Sequence, residues 1–164
     1  MMKLFLKYNG SYGDYGFEVF DETAYTKYTV SVRTEKNKQQ IIIKNLNKQI
    51  IAEILNKNIV FRYFSVKCMG RFYILFPVLK EYFAFMIYGS TYKFAGDISQ
   101  GNFSLIDVDK SPVMTQKKCW GQCGDGFELN IYNEEQEIFS ICCAICAAMY
   151  MTKSDTKTQM VGDV

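Results

Sequence analysis

The feature that most limits how this chain can fold is a run near its C-terminus, Ile138-Phe139-Ser140-Ile141-Cys142-Cys143-Ala144-Ile145-Cys146-Ala147-Ala148-Met149-Tyr150-Met151, with no charged position. Wound as a helix it is apolar on every face, so it must be buried in protein or in a membrane. Length separates the two. Its fourteen residues rise about 21 Å, short of the ~30 Å hydrocarbon core of a bilayer. No transmembrane span is therefore expected, and the rest of the chain must supply the wrapping. The preceding Asn133-Glu134-Glu135-Gln136-Glu137 reads as a helix start. Asn133 is the expected N-cap, Gln136 is placed to close a capping box, and the acids suit the positive end of the helix dipole. The spacing predicts a core helix over 134–152, with Ile138, Ile141, Cys142, Ile145 and Met149 among its packing residues, and a disordered polar tail over 153–164.

What precedes the helix reads as short strands. In Lys27-Tyr28-Thr29-Val30-Ser31-Val32-Arg33 the apolar side chains alternate strictly with polar ones, and Phe127, Leu129 and Ile131 alternate with Glu128, Asn130 and Tyr132. Further strands are expected at 3–8, 15–21, 37–44, 49–56, 61–68, 71–78, 82–88, 91–98, 102–108 and 112–120. Turn signals separate them, among them Asn9-Gly10, Glu35-Lys36-Asn37, Asn45-Leu46-Asn47, Met69-Gly70 and Gln100-Gly101-Asn102. No gap holds a crossover helix, so the neighbours should be antiparallel. Eight strands enclose only side chains, and barrel diameter grows with strand number. About twelve can surround a helix ~10–12 Å across, here slimmed by Ala144, Ala147 and Ala148. The expected fold is mainly β: one domain over 1–152, a closed antiparallel barrel of about twelve strands around a central C-terminal α-helix.

Composition excludes several functions. There is no histidine, which removes His-based triads, His metal ligands and His general bases. The formal charge of +2 gives no bulk attraction for nucleic acid. No paired-carboxylate or nucleophile motif stands out, so no enzyme activity and no cofactor are expected. Gly121-x-x-Gly124-x-Gly126 resembles a phosphate loop only loosely, lacking the Lys-Ser/Thr that such a loop needs.

Of the six cysteines, Cys142, Cys143 and Cys146 fall in the apolar helix, where a free thiol behaves as a small hydrophobe. Cys119 and Cys123 lie in or beside a loop and can pair only in an oxidising setting. No metal site is expected. Met1–Lys7 is too short an apolar stretch for a secretory signal, and reduced thiols in the cytoplasm are the simpler expectation. Basic residues come in pairs. Lys36 with Lys38 and Lys117 with Lys118 are the candidates for contact with an anionic lipid head group, although alternation should turn Lys117 and Lys118 to opposite faces.

The stretches Tyr25-Thr26-Lys27-Tyr28-Thr29-Val30, Ile87-Tyr88-Gly89-Ser90-Thr91-Tyr92-Lys93-Phe94-Ala95-Gly96-Asp97 and Asn102-Phe103-Ser104-Leu105-Ile106-Asp107 add a family likeness. With the terminal apolar helix, they make the chain resemble the Tubby C-terminal-like superfamily, in its LURP-one-related branch with small bacterial-type members. The resemblance spans about residues 2–152. It implies a twelve-stranded barrel on a hydrophobic helix, and a non-enzymatic module whose partner is a protein or an anionic lipid head group, cytoplasmic and peripheral at a membrane. The alternative is a small-molecule carrier or enzyme using a surface pocket.

Overall fold

The computed structural model describes residues 1–11, 14–58, 62–79, 83–119 and 126–162, with backbone alone beyond Met151. Twelve strands follow one another: β1 (Met2–Ser11), β2 (Asp14–Phe20), β3 (Thr26–Glu35), β4 (Lys38–Lys44), β5 (Ile50–Asn58) and β6 (Arg62–Cys68). Then come β7 (Arg71–Leu79), β8 (Phe83–Tyr88), β9 (Lys93–Asp97), β10 (Asn102–Ile106), β11 (Pro112–Cys119) and β12 (Gly126–Ile131). Every stretch read as a strand forms one. A 3-10 turn at Glu134–Gln136 then leads into helix α1 (Glu137–Gly162).

All twelve strands belong to one antiparallel sheet, ordered β8-β7-β6-β5-β4-β3-β2-β1-β12-β11-β10-β9. Sequence neighbours pair everywhere except between β8 and β9, and the β1–β12 ladder joins the two halves, with Leu4 opposite Leu129. The ends of the order, β8 and β9, lie side by side without a ladder. The barrel is thus nearly closed, one ladder short of the full closure expected. Side chains bridge this seam instead of backbone: Phe85 of β8 meets Phe94 of β9 edge-on, with ring centroids 5.3 Å apart, a favourable aromatic geometry.

Alternation places one face of each strand inside. Tyr28 and Val30 of β3, Ile41 and Ile43 of β4, and Phe64 and Val66 of β6 are buried against the helix, while Thr29 and Ser31 face out. From Phe139 to Met149 every residue of α1 is buried, so the helix is the core around which the sheet is wound. Ile141, Cys142, Ile145 and Met149 lie inside as predicted, whereas Ile138 is only partly covered because it sits at the mouth of the barrel. Phe139 stacks on Tyr73 of β7 with centroids 4.3 Å apart, and truncating such a ring to alanine costs about 3–5 kcal/mol.

Polar moorings hold the helix at both ends. The Glu137 carboxylate accepts from Tyr28 Oη at 2.8 Å and pairs with Lys27 Nζ at 2.6 Å. Towards the far end, Arg62 Nη2 donates to the Met149 carbonyl at 3.0 Å while its guanidinium lies 4.5 Å from the Tyr150 ring centroid. Asn133 caps the 3-10 turn through Glu135 N, as expected, but Gln136 turns away to line a surface cleft. Helix α1 continues past the expected 152 boundary as far as Gly162.

This arrangement gives the barrel two distinct ends. The entry end, where α1 begins, is built from the connections at 21–25, 45–49, 69–70, 89–92, 107–111 and 132–136. The exit end includes those at 36–37 and 98–101. Replacing Ala147 with Glu buries an unpaired carboxylate at several kcal/mol, so Ala147→Glu should yield no cooperatively unfolding protein in thermal melts. A second expectation concerns base. Burial first, then the neighbouring Glu137, hold the Tyr28 phenol protonated well above its ordinary value of 10.0. The folded state binds that proton more tightly than the unfolded one. The contribution is complete below pH 10 and fades as pH rises beyond it. Urea unfolding at about pH 9 and about pH 11 should show this loss, and Tyr28→Phe should make it shallower; an unchanged slope would remove Tyr28 as its source.

Candidate functional site

The structure puts the four candidate lysines at the exit end, but not in one patch. Lys36 sits in the tight β3–β4 turn with φ of +47°. Lys38 stands directly opposite Lys57 in the β4–β5 ladder. With Glu35 and Asn37 these three lysines line an open hollow. Like charges directly opposite destabilise a ladder, and among the described residues none of the three has a salt-bridge partner. Lys117 and Lys118 lie on β11, with β3, β2, β1 and β12 between them and β4. Lys117 shares the Glu128 carboxylate with Lys3, each at 3.6 Å. Alternation should turn one of Lys117 and Lys118 inward, yet both are exposed. Lys118 emerges at the rim, with its stem against Gly101, where a Cβ would come within 2.8 Å of it.

The helix cysteines face the core. Cys142, Cys143 and Cys146 are fully buried, and burial pushes the Cys143 and Cys146 thiols far above their ordinary value. The neighbouring Cys68 of β6, then burial, raise the Cys142 thiol in the same direction. All five described cysteines are free, and Cys123 lies outside the described residues. So does most of the Gly121–Gly126 loop; Gly126 itself opens β12.

A different place offers convergent polar groups. At the entry end, beside the seam, a cleft of about 330 Å³ is lined by Arg71, Tyr73, Gly89, Ser90, Thr91, Tyr92 and Gln136. Arg71 opens β7, and the loop from Gly89 to Tyr92 bridges β8 and β9. Gly89 has φ of +97°, and a Cβ there would meet the Phe72 carbonyl at 2.7 Å. Only glycine lets this loop lie so tightly along β7. Tyr92 N donates to Ser90 Oγ at 3.1 Å, which leaves the serine hydroxyl proton for another acceptor. Burial raises the Tyr92 phenol, with Asp107 adding to the shift and Arg71 opposing it. Arg71 is exposed and, among the described residues, forms no salt bridge. A planar guanidinium beside hydroxyl donors is the set that recognises a phosphate or carboxylate.

The sequence reading passes over Arg71 and uses Gly89–Tyr92 only as a family likeness. Nothing local joins them. They meet because β7 and β8 pair, with Ile74 opposite Tyr88.

No family description matches this chain, and neither does any curated protein. A solved structure does: the X-ray structure of a protein from Arabidopsis thaliana superposes with a TM-score of 0.58 over 91% of this chain and 92% of that one, at 8% identity. The barrel is what the two share. At that identity the likeness concerns fold alone: a twelve-stranded, nearly closed antiparallel barrel with one C-terminal helix.

Proposed function

We propose that this chain is a non-enzymatic binding module of the Tubby C-terminal-like type, in its LURP-one-related branch, and that the seam cleft takes the anionic head group of a phospholipid. The observation that supports this most is Arg71, a guanidinium without a salt-bridge partner among the described residues, set beside the Ser90, Thr91 and Tyr92 hydroxyls. The cleft volume of about 330 Å³ is at the small end for ligand pockets, which favours a head group over the larger cargo of a carrier. Free cysteines suit a reducing, cytoplasmic location. Among the described residues no helix is long and apolar enough to cross a membrane, so attachment in this reading is peripheral.

A second reading is favoured by Lys38 standing opposite Lys57 with Lys36 in the next turn. There the exit-end hollow, rather than the cleft, contacts an acidic partner.

Co-sedimentation with vesicles separates these. A hydrogen bond to a charged group contributes about 1.5–3 kcal/mol, so Arg71→Gln should cut the binding that phosphoinositide adds over phosphatidylcholine vesicles by at least tenfold. Replacing Lys36, Lys38 and Lys57 with Gln should do so only under the second reading. The phosphoinositide-dependent binding should also fall with added salt. Equal binding by wild type and Arg71→Gln would overturn the cleft assignment.

A further inference from the structure

The entry end carries a feature independent of the cleft. Each of its six connections presents an exposed large hydrophobic side chain at or beside its tip: Tyr25, Leu46, Met69, Tyr88, Val108 and Tyr132. Leu46 is 72% exposed and Val108 74%. Such residues scattered singly over a surface need no explanation, but a set gathered on one end marks an interaction face.

The tips are also stiffly built. Three of the turns share one design, in which the residue two positions before the second strand has a positive φ: Ala24 at +66°, Lys48 at +62° and Lys110 at +67°. In each, two backbone bonds close the loop, Lys48 N to Asn45 O and Asn45 N to Gln49 O, and the equivalents at Asp21–Tyr25 and Asp107–Ser111. A register shift in the ladder follows each turn. Asp21, Asn45, Asp107 and Asp109 spend their side-chain oxygens on backbone N–H groups of their own loops. Non-glycine residues in this left-handed region are strained, so the apolar tips are held out by a rigid frame. Cations follow two residues after four of them: Lys27 after Tyr25, Lys48 after Leu46, Arg71 after Met69, and Lys110 after Val108.

We propose that this ring docks on the interfacial zone of a lipid bilayer, the six tips entering the head-group and upper acyl region. Three observations favour that occupant. The apolar groups are spread one per loop around a ring with polar residues between them, whereas a protein hot spot is a contiguous central cluster. Three of the six are tyrosines, and long cations flank the aliphatic tips, the pairing found at membrane interfaces. A second copy docked face to face would bring the exposed Glu134 and Glu135 at the start of the helix against their own counterparts. With acids and bases both present, docking does not require anionic lipid, which sets it apart from head-group capture in the cleft.

The test is flotation of the whole chain with pure phosphatidylcholine vesicles, comparing wild type with Leu46→Asn/Val108→Asn. Both positions are exposed, so the double variant should melt at the wild-type temperature. Wild type should float with neutral vesicles, with little dependence on salt, and the double variant should partition at least tenfold less. No flotation of wild type, or equal flotation of the two, would overturn the proposal. So would self-association of wild type that the double variant abolishes, which would make a second copy the occupant. Added binding when phosphoinositide is included reports on the cleft alone, so either idea can fail without the other.

Discussion

The structure depends on covering one helix that has no polar face. Burial at roughly 25 cal/mol per Å² of apolar surface favours any wrapping that removes Phe139 to Met149 from water, but their backbone must also be satisfied. The helix satisfies its own hydrogen bonds, which is why it can sit inside a ring of strands. The strands in turn need an interior. A cylinder of twelve is too wide to be filled by its own side chains; here the helix fills it. Ala144, Ala147 and Ala148 keep the helix slim enough, while Phe139, Ile141 and Ile145 reach the wall. Neither element has a stable surface without the other.

This mutual dependence explains where polar groups are tolerated inside. Glu137 enters the barrel mouth already neutralised by Lys27 and hydrogen-bonded by Tyr28. Arg62 is partly buried near the other end, where the Met149 carbonyl and the Tyr150 ring receive it. Buried charge is costly unless paired or hydrogen-bonded; Glu137 meets that condition, and Arg62 meets it through Nη2, although its buried Nε has no partner. They also fix the depth of the helix, since sliding by one turn would break both contacts. The ends they define differ in kind: the entry end offers a small polar cleft ringed by apolar tips, and the exit end offers paired lysines.

Most of the fold was legible because it rests on periodicity. Period-two alternation gave all twelve strands, and the charge-free run together with the Asn133 cap gave the helix and its start. Three things were not legible. The open seam depends on Phe85 and Phe94 meeting across two strands that do not pair, and no local pattern encodes a missing ladder. Both Lys117 and Lys118 are exposed, against alternation, because Lys118 sits at the rim of the barrel with its stem along Gly101. The cleft joins Arg71 to residues from Gly89 onward through the β7–β8 register, information held in pairing rather than in spacing. The lysines chosen from sequence lie at the other end for the same reason: proximity in the chain finds charge pairs, and only topology says which end of the barrel they occupy. The apolar tips were written in the sequence as turn residues, Asn45-Leu46-Asn47 and Met69-Gly70 among them, but only the fold shows that they share one rim.

The central claim is that helix and barrel form a single cooperative core. Native-state hydrogen exchange followed by mass spectrometry tests it most directly. If the account holds, amides of 139–149 exchange only through the same global opening as those of β1, β4 and β12, with one shared free energy and one shared denaturant dependence. Exchange of the helix amides through a smaller opening, while the strands stay protected, would show that the barrel stands without its helix and would contradict the account.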